Sequence, residues 1–105
     1  MQEKDIQLCG IGNGLVDIIV NVSNEDFEEL GFERGSMRLV EVSEQLELLE
    51  RFQKSGAALV SGGSVANSII AFQQFGGRAA FIVNLGDDKY GLHYEGEMEA
   101  LGVRL

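Results

Sequence analysis

Residues 57–85, AALVSGGSVANSIIAFQQFGGRAAFIVNL, contain two apolar runs separated by a helical pattern that a pair of glycines bounds at each end. Apolar residues recur at i, i+4 and i+7 from Val65 onward, which predicts one buried helix face over 64–75. The run 79–85 is apolar almost throughout, as is typical of a strand covered on both faces. Strand, helix and strand in this order predict right-handed βαβ connectivity and a parallel sheet.

The rest of the chain adds shorter elements. The patterns predict strands over 6–11, 15–22, 36–42 and 57–60, helices over 24–30, 44–54 and 88–101, and the start of a further strand at Val103–Leu105. Strands with one polar face do not suit the middle of a parallel sheet. The segments 15–22 and 36–42 are therefore predicted to form a small separate sheet beside the α/β layer.

The charge of the chain limits the kind of partner it can have. It carries 8 basic and 17 acidic residues, a formal net charge of -9, which disfavours nucleic acid and anionic membranes. No apolar run reaches the roughly 18 residues of a membrane span, and the N-terminus lacks the apolar core of a signal peptide. A cytoplasmic location is expected, and the lone Cys9 is predicted to be a buried structural thiol.

The segment CGIGNGLVDIIV, residues 9–20, is rich in glycine, but a strand-like run follows it where a dinucleotide-binding turn needs a helix. Two polar residues remain to be explained, Asn13 and Asp17. They could form a turn and an exposed strand face. Alternatively, they could face one pocket, where a carboxylate accepts hydrogen bonds from the vicinal hydroxyls of a sugar.

The glycines at 62 and 63 precede the predicted helix and lack the Cβ that would keep a ligand away from the backbone. Free N–H groups are expected at the helix start, and Asn67 lies in the first turn. The alternative is a tight loop in which Ser64 is the N-cap and Asn67 its capping partner.

The segments GIGNGLVDI, SGGSVANSIIAFQQFGG and NLGDDKYG, in this order, resemble the N-terminal part of ribokinase-like, PfkB-type carbohydrate kinases, and the first is most similar to the adenosine-kinase-type branch. The resemblance extends from about Ile6 to Leu105. It implies an α/β fold with a doubly wound parallel sheet and a small β-sheet lid over about 15–22 and 36–42. It also implies ATP-dependent phosphorylation of a hydroxymethyl group on a sugar or nucleoside.

The resemblance implies one acceptor site. Its residues would be Asn13, Asp17, Gly62, Gly63, Ser64, Asn67, Met37 and Leu39. Asp17 would bind ring hydroxyls with Asn13 beside it, and Asn67 would bind a hydroxyl. Met37 and Leu39 would face the substrate from the lid.

Other polar residues are assigned no chemistry. Asp87 and Asp88 are predicted to build a turn and a helix start, and His93 to lie on the surface. The family's catalytic aspartate lies in a GAGD-type motif that these 105 residues do not contain. We therefore expect no catalytic residue and no metal ligand in the chain. ATP and Mg²⁺ would be cofactors of a full-length parent, with none bound to this chain.

The sequence ends as a new strand begins, so we expect it to be the N-terminal part of a longer kinase, inactive alone. Two alternatives remain. One is a stand-alone sugar- or nucleoside-binding module that self-associates through its exposed sheet edge. The other is an α/β domain whose glycines only make turns. Adenosine, another nucleoside, ribose or a hexose could each be the acceptor.

Overall fold

A computed structural model describes residues 5–105 of the protein. The strands are β1 (Leu8–Ile11), β2 (Leu15–Val20), β3 (Ala57–Gly62) and β4 (Ala79–Ile82), and the helices are α1 (Asn24–Leu30), α2 (Val42–Phe52), α3 (Ser64–Gln74) and α4 (Lys89–Ala100). A short 3-10 turn, Gln53–Ser55, follows α2. Over the described range, no helix has both the length and the apolar composition needed to cross a bilayer.

The described chain divides into two compact units. The first consists of the residues up to Asp17 together with Leu59–Leu105, and the second is Ile18–Ala58. The first unit contains β1, β4, α3 and α4, and the second contains α1 and α2.

The predicted parallel sheet is present in the first unit. β1 and β4 run parallel, in register from Leu8 opposite Ala79 to Ile11 opposite Ile82. Arg104 forms a further parallel bridge with Ala80, so the strand predicted at the end of the sequence begins to pair with β4. The α/β fold class predicted from the sequence is confirmed.

The structure differs from the prediction that the strands on either side of α3 lie in one parallel sheet. Among the named strands, β4 pairs with β1, whereas β3 pairs with β2 in a small second sheet. The end of β3 lies beside the start of β2, and that sheet is antiparallel. Periodicity identifies a strand, but it does not identify its partner, which can lie far away in the sequence.

Helix α3 packs closely on β1. A Cβ added at Gly10 would lie 2.8 Å from Val65 Cγ1 and 3.0 Å from Ile69 Cδ1, and one at Gly12 would lie 2.9 Å from Val65 Cβ. The glycines of the segment 9–14 that adjoin α3 therefore serve helix packing.

The core of the first unit lies between the parallel sheet and its helices. Its buried members are Ala66, Ile69, Ala79, Phe81, Tyr94, Met98 and Val103. Burial of each large apolar side chain among them stabilises the fold by roughly 1.5–3 kcal/mol.

Polar contacts cap helix α1 of the second unit and join it to α2. The Ser23 hydroxyl accepts the Asp26 N–H at 3.1 Å, so Ser23 is the N-cap of α1. Gly31 ends this helix in the left-handed conformation. Arg51 on α2 pairs with Glu29 on α1 at 2.6 Å.

The strand predicted over 36–42 is absent. Residues 36–41 form no regular element, and α2 begins at Val42. Alternation of apolar and polar residues favours a strand only where a neighbouring strand can pair with it. Because this segment has no such partner in the described chain, the small sheet consists of β2, whose exposure alternates as expected, and β3.

Cys9 is exposed, so its predicted burial was wrong. Successive side chains of a strand point to opposite faces. Helix α3 covers the face of β1 that carries Gly10, and Cys9 points to the other face.

Candidate functional site

The turn between β3 and α3 brings four of the predicted site residues together. A Cβ added at Gly62 would lie 3.0 Å from Asp17 Oδ2, and one at Gly63 would lie 2.7 Å from the backbone oxygen of Asn13. The chain therefore passes so close to Asp17 and Asn13 that only glycine fits without displacement. The predicted convergence of these residues is present in the first unit.

Gly63 is the N-cap of α3 and has φ 110°, a conformation that other residues rarely adopt. No side chain caps the helix, so Ser64 is not the N-cap and Asn67 is not its capping partner. The first helical bond runs from the Asn67 N–H to the Gly63 carbonyl at 2.9 Å. The preceding N–H groups have no intrahelical acceptor. The side chains of Ser64 and Asn67 are exposed, so the N–H groups and these side chains can all bind a ligand.

A cleft of about 280 Å³ lies at the carboxyl ends of β1 and β4. Its lining residues are Ile11, Gly12, Asn13, Ile82, Val83 and Asn84. Ligands of open α/β sheets bind at this edge. Sequence reasoning did not select Asn84, although a single amide directly after an apolar run was a visible signal.

Two side chains of helix α4 form hydrogen bonds with the last two residues of β3. The Tyr94 hydroxyl donates to the Gly62 carbonyl at 3.2 Å, and the Tyr94 side chain is fully buried. Glu97 Oε2 accepts the Ser61 N–H at 3.1 Å and also accepts a hydrogen bond from the Ser61 hydroxyl. Burial raises the pKa of Tyr94, so this hydroxyl keeps its proton and remains a donor.

His93 is half-buried beside Glu97, which differs from the predicted surface position. Its Nε2 lies 3.4 Å from Glu97 Oε1 without forming a well-aligned hydrogen bond. Ser61, Glu97 and His93 are the residue types of a hydrolytic triad, but the carboxylate lies between the other two. The His93 imidazole therefore does not contact the Ser61 hydroxyl, and the three residues do not have the order serine, histidine, carboxylate that activates a triad nucleophile.

Glu97 gives the first unit an acid-sensitive contact. The Ser61 hydroxyl bond, and then the Ser61 N–H bond and His93, lower the Glu97 pKa from its ordinary value of 4.5 against the opposing effect of partial burial. A carboxyl with a lowered folded-state pKa stabilises the fold fully above its unfolded-state value. This contribution is lost as the pH falls through the folded-state value.

We therefore expect the stability difference between the chain and its Glu97→Gln variant to be constant above pH 4.5 and to shrink below it. Urea unfolding across this range measures the difference. Carrying both chains in a His93→Gln background removes the imidazole whose charge also acts on Glu97. A difference that does not change with pH would contradict the expectation.

The GDD segment starts a helix, as predicted. Asp88 is the N-cap of α4, and its Oδ1 accepts the Gly91 N–H at 2.8 Å. Gly91 packs against the Gly86 carbonyl so closely that a Cβ would lie 1.9 Å from that oxygen. Asp88 is therefore engaged by the backbone of its own helix.

The other two predicted site residues, Met37 and Leu39, belong to the second unit. Their side chains are 96% and 97% exposed, in a segment without regular structure. Their contact with a substrate stays a prediction. Among residues 5–105, no three side chains of the metal-binding types converge.

A parallel α/β layer, a small second sheet and a glycine-lined turn at a helix N-terminus define the class of ribokinase-like kinases, and comparison with known proteins agrees. The family model of the pfkB family carbohydrate kinases matches residues 35–105. The chain belongs to this family, which confirms the resemblance seen in its motifs.

Three known proteins show how the chain relates to the family. Adenosine kinase from Sinorhizobium meliloti is 32% identical, with a TM-score of 0.74 over 96% of this chain and 30% of that one. The apo adenosine kinase from Trypanosoma brucei brucei, at 24% identity, shares the fold with a TM-score of 0.79 over 97% of this chain and 32% of that one. Probable fructokinase-4 from Arabidopsis thaliana is 48% identical over 42 residues, 40% of this chain and 13% of that protein. The chain thus spans less than a third of the length of the first and about a third of the second.

Proposed function

We propose that the chain is the N-terminal part of an ATP-dependent phosphotransferase that acts on a hydroxymethyl group of a sugar or nucleoside. In this proposal, the first unit supplies the platform that binds the acceptor. The observation that carries it is the close approach of Gly62 and Gly63 to Asp17 and Asn13. A backbone without side chains beside an exposed carboxylate provides a flat polar surface that a polyol can contact.

The chemistry of the platform suits vicinal hydroxyls. An ionised carboxylate is an acceptor with two oxygens, so Asp17 can take one hydrogen bond from each hydroxyl of a diol. The N–H groups at the start of α3 are donors, and the Asn67 side chain offers both a donor and an acceptor. These groups hold and orient the acceptor, whereas the transfer itself needs a nucleotide and a base that we place elsewhere in the parent enzyme.

The names of the relatives suggest which acceptors to test first. The compared proteins are adenosine kinases and a probable fructokinase. We infer that a nucleoside is the preferred acceptor, because the first motif has the GN-x-x-x-D form. Calorimetric titration of adenosine, ribose and fructose into the chain tests this proposal. Adenosine should bind most tightly, and the absence of binding by all three would contradict an acceptor platform.

The chain alone is expected to lack kinase activity. Its 105 residues contain no GAGD-type motif, and its described residues bring no metal-binding cluster together. Incubation with ATP, Mg²⁺ and each acceptor should therefore yield no phosphorylated product above the level without protein. ATP-dependent turnover would contradict the proposal that this chain binds the acceptor while the rest of the parent enzyme supplies the base and the nucleotide site. A reading frame that continues past Leu105 into a glycine-rich GAGD-like motif would supply the missing base.

A second candidate is a binding module that associates with another copy of itself and catalyses nothing. It is favoured by Ile11 and Ile82, which are partners in the β1–β4 register and are 73% and 58% exposed. Sedimentation velocity over a concentration series discriminates the two. A concentration-dependent dimer that Ile82→Lys abolishes would support the module, and a monomer throughout would eliminate it.

A further inference from the structure

We propose that Glu97 is a positioning residue for the acceptor site. From α4 it holds the end of β3 in the conformation that places Gly62 and Gly63 beside Asp17 and Asn13. The consequence for affinity rests on the proposed function. The effect on the backbone does not, and it can be measured without any ligand.

The contacts of Glu97 concentrate on the residue just before the turn. One carboxylate oxygen accepts both the N–H and the hydroxyl of Ser61, and Ser61 is only 8% exposed. One turn away on the same helix, Tyr94 donates to the carbonyl of Gly62. Helix α4 therefore fixes two successive residues of β3 through side chains that reach their backbone groups.

The two glycines need such support. Glycine has the largest backbone freedom of any residue, and here two glycines join the end of β3 to the N-cap of α3. A turn that is ordered before the ligand arrives adds no further ordering cost at binding. Contacts that order Gly62 and Gly63 in the free protein should therefore increase acceptor affinity without touching the acceptor.

Glu97 and Tyr94 differ in how they can be tested. Tyr94 is fully buried in the core, so its removal would leave a cavity and destabilise the entire unit. The Glu97 side chain is 39% exposed and contacts Ser61 and His93. Its replacement removes the support of the turn while the apolar core keeps its side chains.

The experiment compares the parent chain with Glu97→Ala, Glu97→Gln and the control Glu95→Ala, which changes an exposed acid on the same helix. Amide hydrogen exchange at Gly62 and Gly63 is measured by NMR without ligand, and adenosine affinity by calorimetry. We expect Glu97→Ala to accelerate exchange at both glycines and to weaken adenosine binding, each about tenfold. Glu97→Gln retains an acceptor oxygen and should give a smaller effect, and the control should match the parent.

The outcomes separate this inference from the proposed function. Unchanged exchange at Gly62 and Gly63 in Glu97→Ala would overturn the positioning role. Acceleration that extends equally to α3 and β4 would also overturn it, because Glu97 would then act only on general stability. If the parent binds no adenosine, ribose or fructose, the proposed function fails. Locally accelerated exchange would still establish that Glu97 orders the turn.

Discussion

Replacement of Gly63 by alanine is expected to destabilise the protein by about 3 kcal/mol and to abolish acceptor binding. Two effects add. The backbone at this residue has φ 110°, where any Cβ is strained, and the new Cβ would lie 2.7 Å from the carbonyl oxygen of Asn13. Relief of that contact requires the Asn13 backbone or the start of α3 to move, and both belong to the candidate site.

Gly76 provides a matched control. It has φ 100°, but a Cβ added there would meet nothing within 4 Å. Gly76→Ala should therefore show the backbone strain alone, about 1–2 kcal/mol, with adenosine binding intact. Urea unfolding and calorimetry of both variants measure the comparison. Equal losses of stability in the two variants would show that the contact with Asn13 is unimportant.

Asp17→Ala is expected to weaken acceptor binding about 100-fold or more while leaving stability within about 0.5 kcal/mol of the parent. Hydrogen bonds to a charged acceptor contribute about 1.5–3 kcal/mol each, and Asp17 can accept two from a diol. The residue is exposed on β2, so its removal opens no cavity. Asp17→Asn keeps one acceptor oxygen, so its acceptor affinity should lie between those of the parent and of Asp17→Ala.

Asp87→Ala is the control for this prediction, because Asp87 is an exposed acid of the same unit in the loop before α4. It should leave adenosine affinity at the parent value, since a change in net charge alone is screened in physiological salt. If Asp17→Ala bound adenosine as tightly as the parent, Asp17 would be only a polar residue on an exposed strand face.

The parts of the fold that depend on local pattern could be predicted from the sequence. Helix α3 follows from apolar spacing, and the end of α1 follows from Gly31, which takes the left-handed conformation. The strand over 36–42 could not be judged in this way. Its alternation is a local property, whereas its hydrogen bonds would depend on a partner that the described chain does not provide.

The candidate site, like the fold, could be predicted only where local motifs identify its residues. The motifs placed Asp17 and the two glycines in one site because their order along the chain resembles that of a family. The supporting contact between Ser61 and Glu97 joins residues 36 positions apart, and no local pattern connects them. Such contacts depend on how α4 lies behind β3, which only the tertiary structure shows.

The close packing of α3 on β1 has a consequence for the surface at the start of the helix. Gly10 and Gly12 have no side chain, so the Val65 side chain packs directly on their backbone. This contact fixes the distance between α3 and the sheet. Replacement of the exposed side chains of Ser64 and Asn67 should therefore leave the position of the helix unchanged. The surface at the start of α3 and the packing of the helix on the sheet thus depend on different residues.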